Sequence, residues 1–157
     1  YHSNPGFPLL NLGTRLVINS QQTTEWLEDR TVGPEEYQIA QSPQGKAHDD
    51  VYIHRPIADE AGNVQVALVN DELKLGVYWE FPIQEMPVIT QWQHFHKGSY
   101  VTGIEPGNVS MLGRAWNRKH GYLNYIQPSE IRDFHLEIGV LEGKEEINAF
   151  EQRIKQR

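Results

Sequence analysis

A carboxylate and several imidazoles, the side chains best suited to exchanging protons near neutral pH, sit in this chain in contexts that would restrain them. Glu105 lies in the run Tyr100 to Asn108, Y-V-T-G-I-E-P-G-N. The β-prone Tyr100-Val101-Thr102 leads through Gly103 and Ile104 to the acid, and Pro106 and Gly107 follow. Proline holds its predecessor extended and cannot donate to a ladder, so Glu105 is expected at the end of a strand. Ile104 and Pro106 on either side would partly desolvate the carboxyl, raise its pKa and suit it to shuttling a proton. The competing reading is an ordinary strand-end glutamate in solvent. Near the other terminus, His2 and Asn4 belong to Tyr1-His2-Ser3-Asn4-Pro5-Gly6-Phe7-Pro8-Leu9-Leu10. Pro5, Gly6 and Pro8 forbid regular helix there, which makes the segment a rigid, irregular one able to aim side chains into a cleft.

A second group lies between Pro87 and His96, where alternation puts Thr90, Trp92, His94 and His96 on one face and Ile89, Gln91, Gln93 and Phe95 on the other. The first face is unusual for a core. Trp92 and His94 suit a sugar, because an aromatic ring stacks on the apolar side of a pyranose while imidazole bonds hydroxyls; packing against another chain would use the same residues. His94 and His96, with His48 and His54 elsewhere, are also metal-ligand types. No carboxylate nearby completes a facial set, so no metal is expected. Neither Ser99 nor Ser110 lies in a G-x-S-x-G turn, and no phosphate-cradling glycine loop occurs.

The elements that must hold these residues read mostly as strands. Arg15-Leu16-Val17-Ile18-Asn19 is strand-like, and Ser20 to His48 reads as a long polar loop, pinned by Trp26 and Tyr37, that lines a site or covers an edge. From Val51 the period is close to two, through turns at Asp59–Asn63 and Asn70-Asp71, which predicts a three-strand antiparallel meander with one buried face. After Glu105 a loop spans Asn108 to Gly121. Tyr122 to Ile126 and Ile131 to Leu141 then read as strands, the latter burying Phe134, Leu136, Ile138 and Val140. Only the tail has helical period, with Ile147, Phe150 and Ile154 at i, i+3 and i+7 after Gly143. The fold class is therefore all-β, an antiparallel sandwich with a C-terminal helix.

Composition narrows the partners. The chain has 157 residues, enough for one domain, with 14 Lys+Arg against 21 Asp+Glu and a net charge of -7. No basic stripe is present to neutralise phosphates, which argues against nucleic acid, and no apolar run approaches the roughly 20 residues of a membrane span. The absence of cysteine excludes a disulfide framework and fits a cytoplasmic location. Because the chain opens with Tyr1 inside a Gly/Pro-punctuated motif, an N-terminal portion is expected to lie outside it. A homodimer is left open.

Three ordered motifs resemble the galactose mutarotase-like (aldose 1-epimerase) superfamily, and within it the DUF4432 branch. Tyr1 to Leu10 resembles the H-x-x-F/G-x-L segment that bears the catalytic histidine. Gln91-Trp92 followed by Gly98 to Pro106 resembles the segment that bears the catalytic glutamate. Tyr122 to Glu130, with Ser129 in place of glycine, resembles the L-x-P-G-E turn before the final strand. The resemblance implies that residues 1–157 are the C-terminal half of a β-supersandwich, with a sugar bound in a cleft of the concave sheet. It implies Glu105 as general base on the anomeric hydroxyl, His2 as general acid on the ring oxygen, and a second histidine in the N-terminal half.

The resemblance also points to Asp50, with Asp49 adjacent, as an acidic contact to sugar hydroxyls. Asn4, Trp92 and His94 complete the expected substrate set. Arg114, after Gly113, could clamp hydroxyls or an acidic substituent bidentately, or form a surface ion pair. The implied function is an aldose 1-epimerase that acts on a small-molecule sugar without a cofactor. The alternatives are a carbohydrate-binding protein of the same fold without turnover, and a sugar isomerase recruiting a metal through His94 and His96.

Overall fold

The computed structural model describes residues 1–43 and 48–155. It contains nine strands and three helices among the described residues, all strand pairs being antiparallel. Strands β1 (Arg15–Ile18), β5 (Asn63–Asn70), β6 (Leu75–Pro82) and β9 (Glu137–Glu142) form one sheet in the order β1-β5-β6-β9. Strands β3 (Arg30–Thr31), β2 (Ser20–Glu25), β4 (Asp50–Pro56), β7 (Val88–His96) and β8 (Ser99–Gly107) form the other in that order. Leu16, Val64, Val66, Leu68, Trp79 and Phe81 from the first sheet meet Tyr52, Ile89, Phe95 and Ile104 from the second in one buried cluster. The all-β sandwich expected from the alternating pattern is the architecture found.

Strand β5 is buried on both faces, which is why its sequence N-V-Q-V-A-L-V-N is nearly unbroken in hydrophobicity. Its second face, with Ala67 and Val69, joins Val17 and Leu141 under helix α3 (Gly143–Lys155), whose Ile147, Phe150 and Ile154 are the residues named by the helical period. Arg15 fastens this layer by bonding Asp71 at 2.6 Å and Glu151 of α3 at 2.7 Å. Helix α3 thus closes the outside of the four-stranded sheet. The outside of the five-stranded sheet carries the polar face of β7.

Several local expectations are corrected. The stretch read as a polar loop from Ser20 contains β2, β3 and the single-turn helix α1 (Pro34–Tyr37). Strand β2, S-Q-Q-T-T-E, shows no hydrophobic alternation because its buried positions are polar, Thr23 bonding His54 and Glu25 accepting from the backbone of Leu27 and Glu28. Tyr37 is buried as an anchor should be, whereas Trp26 is 38% exposed. Strand β4 does not join β5 and β6 in a meander; the connection after Pro56 crosses to the other sheet. The loop after Glu105 includes helix α2 (Arg114–Lys119).

Tyr122 to Ile126 forms no strand, and of Ile131 to Leu141 only the end, from Glu137, does. There the buried face is the opposite of the one expected: Leu141 is 6% exposed, while Phe134, Ile138 and Val140 are 49%, 44% and 54% exposed. Strand β9 is the sheet edge, and α3 covers only the side that holds Leu141. Glu105 is not at a strand end either, since β8 runs on to Gly107 and pairs Pro106 with Ile89. The carbonyl of Pro106 accepts from the N-terminal nitrogen of Tyr1 at 2.8 Å, on the side away from β7. A strand residue turns its N and its carbonyl to the same side, so the missing N–H of Pro106 costs the β7 ladder nothing.

Candidate functional site

The polar side chains are gathered by register. Strands β7 and β8 pair Thr90 with Glu105, Trp92 with Gly103, His94 with Val101 and His96 with Ser99, so these residues share the outer face of the five-stranded sheet. Alongside β8 lies the chain's first segment, bridged at Ser3 to Ile104 and at Gly6 to Val101. The Ser3 N–H and hydroxyl both donate to the Ile104 carbonyl, at 3.3 and 2.8 Å, and Thr102 N–H donates to Pro5 at 3.1 Å. That register sets His2 beside Glu105 and Asn4, which is exposed, beside Gly103.

Two residues 103 positions apart are thereby in contact, His2 Nε2 lying 3.0 Å from Glu105 Oε1. They touch directly, with no space between them for a pyranose. The imidazole is about half exposed and the carboxylate is 21% exposed. Burial pushes the Glu105 carboxyl above its ordinary range, with His2 acting in the opposite direction. Gly103 makes the contact feasible: a Cβ there would run into Glu105 Oε1 and come within 3.2 Å of His2 Cε1 and 3.3 Å of the Trp92 Cβ. This role of Gly103 is not visible in the sequence, because cross-strand crowding follows from register and not from local propensity.

Trp92 forms the floor beside this pair, its ring edge-on to His2 with centroids 6.1 Å apart. Beyond it, His94 Nδ1 and His96 Nε2 lie 2.7 and 2.9 Å from Asp49 Oδ1, and Trp92 Nε1 donates to Asp49 Oδ2 at 2.8 Å. Burial acts to raise the Asp49 carboxyl, but the bonds from Trp92, His94 and His96 outweigh it and hold the group low. The aspartate on this face is therefore Asp49. Asp50, the one expected among the substrate contacts, pairs with Gln93 and turns to the other face beside Tyr52. Two consecutive aspartates entering a strand point oppositely, and only the register decides which faces the site.

Of the remaining candidates, Arg114 is exposed in the first turn of α2. His54 is fully buried on the inner face between Thr23 and Gln91, and His48 is exposed beside Asp50; neither joins His94 and His96. A cavity of about 490 Å³ opens farther along the outer face, bounded by Gln22, Ile53, Arg55, Val88, Trp116 and Tyr122. It does not contain Glu105 or His2, but Ile53 and Thr90 are paired and Val88 precedes Thr90 by two, so it continues the same groove. Arg55, which sequence reasoning passed over, donates to the Tyr122 hydroxyl at 2.8 Å at its rim.

The arrangement of two antiparallel sheets with a C-terminal helix is that of a galactose mutarotase-like fold. The model of the family "Domain of unknown function (DUF4432)" matches residues 1–140, and the chain belongs to that family. Among solved structures it is similar to a crystallised protein of Klebsiella pneumoniae subsp. pneumoniae MGH 78578, titled a "putative aldose 1-epimerase", with 29% identity and a TM-score of 0.89. The match covers 99% of this chain and 41% of that one, so the chain spans less than half the length of this relative. No curated protein matches the chain. Among the described residues, no helix is long and apolar enough to cross a membrane.

Proposed function

We propose that the chain carries the acid–base pair of an aldose 1-epimerase, which interconverts the anomers of a small sugar lying over Trp92. The observation that carries this reading is the 3.0 Å contact between His2 and Glu105 on an open sheet face with an aromatic floor. The reaction needs a base for the anomeric hydroxyl and an acid for the ring oxygen. Both oxygens are bonded to C1, so a base and an acid this close together can address them with a modest outward turn of the half-exposed imidazole. The Glu105 carboxylate takes the proton of the anomeric hydroxyl while the C1–O5 bond breaks, and O5 takes a proton from the His2 imidazolium. The resulting open-chain aldehyde rotates about C1–C2, and closure on the other face returns both protons. A carboxyl raised by burial is a stronger base than one in water, which favours the first transfer.

The test is NMR exchange spectroscopy on aldoses, following transfer between the α and β resonances. The protein should accelerate exchange, and Glu105→Gln and His2→Gln should each lower the acceleration by about a hundredfold or more, the contribution expected of a positioned proton donor or acceptor. Full exchange activity in Glu105→Gln would refute the assignment. Saturable sugar binding without any exchange would instead support a binding protein of the same fold.

A further inference from the structure

We infer that Asp49, His94 and His96 form a binding site for one divalent first-row transition cation, with an open coordination position facing the groove. The ligand atoms Asp49 Oδ1, His94 Nδ1 and His96 Nε2 all lie within 4.8 Å of one another. Both nitrogens converge on the same carboxylate oxygen, at 2.7 and 2.9 Å. Ligands at about 2.0 to 2.1 Å from a tetrahedral zinc stand about 3.3 Å apart, so seating a cation here opens the two oxygen–nitrogen distances by only about half an ångström. Two imidazoles and one carboxylate make up the donor set of catalytic zinc sites and of mononuclear non-haem iron, both of which leave a position for an outside ligand.

The chain holds this set in place from several directions. Strand β7 puts His94 and His96 on one face two residues apart, and their rings pack with centroids 4.3 Å apart. Opposite them on β8 stand the short side chains of Val101 and Ser99. The register of β4, with Asp50 beside Gln93, brings the preceding Asp49 next to His94. Trp92 Nε1 holds the second oxygen of Asp49, the kind of outer bond that orients a metal-binding carboxylate. The three side chains are 25% to 31% exposed, which leaves one side of the cluster open. In the sequence no carboxylate stands near His94 and His96; the structure provides one from 45 residues upstream of His94.

The cluster is distinct from the acid–base pair. Thr90, the partner of Glu105, and His94 are four residues apart on β7, which at a rise of about 3.3 Å per residue is about 13 Å along the strand, with Trp92 between. Cation binding can therefore be measured without sugar and without turnover, so failure here and failure of the epimerase reading are separable.

The experiment is a calorimetric titration of metal-stripped protein with Zn²⁺ alone, repeated with Co²⁺ while recording its visible d–d absorption. One cation should bind per chain, with the intensified absorption of low-coordinate Co²⁺. Asp49→Asn and His96→Gln should each weaken binding by about a hundredfold, while Glu105→Gln should leave it unchanged; thermal melts of the variants establish that they are folded. The inference is overturned if the wild-type chain binds no cation at stoichiometric concentration, or if folded Asp49→Asn and His96→Gln bind as tightly as wild type. In either case the three residues are a hydrogen-bonded cluster only.

Discussion

His54 should make the stability of this protein fall with acidification well before its ordinary carboxylates titrate. The ring is 0% exposed, held between Thr23 Oγ1 at 2.9 Å and Gln91 Oε1 at 3.1 Å, with the edge-on ring of Tyr37 centred 4.8 Å away. Burial pushes the imidazole down from 6.5 to about 4, the Gln91 bond acting against that. In the unfolded chain the ring takes up a proton near 6.5, in the fold only near 4, so the unfolded state binds more protons across that window. The stability owed to neutral His54 is therefore complete above 6.5 and is withdrawn as pH falls toward 4.

At about 1.4 kcal/mol per unit the whole withdrawal is about 3 kcal/mol, of which about 2 kcal/mol is gone by about pH 5. Urea unfolding at a series of pH values between about 7 and 5 measures it, with His54→Gln as reference. Glutamine keeps an amide that can donate to Gln91 and accept from Thr23 but does not titrate. Glu105 and His135 also shift, both raised, and both gain native stability as pH falls. They are common to the two proteins and cancel in the difference. Wild type should lose about 2 kcal/mol more than His54→Gln over the range. Parallel curves would show that the buried ring does not carry the pH dependence.

The other predictions concern the pair on the outer face and the helix that covers the opposite sheet. Glu105→Gln should raise the melting temperature above the raised carboxyl pKa and leave it unchanged in acid, because burial penalises only the charged form; equal melts at both ends would contradict the desolvation argument. Gly103→Ala should abolish the His2–Glu105 contact while the far-ultraviolet dichroism stays that of the wild type, since its methyl meets most closely the Glu105 carboxylate, which can swing away. Unperturbed His2 ring resonances in that variant would refute the crowding. Phe150→Ala, at a fully buried position of α3, should cost about 3 to 5 kcal/mol in urea unfolding, and a loss under about 1 kcal/mol would mean that the helix is not closing the sheet.

What could be read from the sequence follows from where the burial is one-sided. Strands β6 and β7 and helix α3 declare themselves because apolar residues recur at a period of two or at i, i+3 and i+7, whereas β5, covered on both faces, shows a nearly unbroken apolar run. Strand β2 does not, because its ladder partner β4 offers it His54 and a polar interior in place of an apolar one. Strand β9 misleads because at a sheet edge the apolar side is not the covered side: Ile138 and Val140 alternate faithfully and still face outward. Within the site, His2, Glu105, Trp92 and His94 were legible as residue types in motifs. The choice of Asp49 over Asp50 and the need for Gly103 were not, since both depend on which residue stands across a strand pair.

The two faces of β7 show how the fold can present such a face. An outer face lined with Thr90, Trp92, His94, Glu105 and His2 gains little from apolar burial, so the strand must be held from its other side. There Gln91 and Gln93, 3% and 4% exposed, both donate to the Tyr37 carbonyl at 3.0 Å, and Gln91 Oε1 also accepts from His54 Nε2. Buried amides satisfied in this way resist a one-residue slip, because slipping would leave each of them unpaired in the core at a cost of about 1 to 3 kcal/mol apiece. The same slip would turn Trp92 and both histidines inward. The polar inner layer, which contributes least to the apolar core, is thus the part that fixes which residues the groove receives.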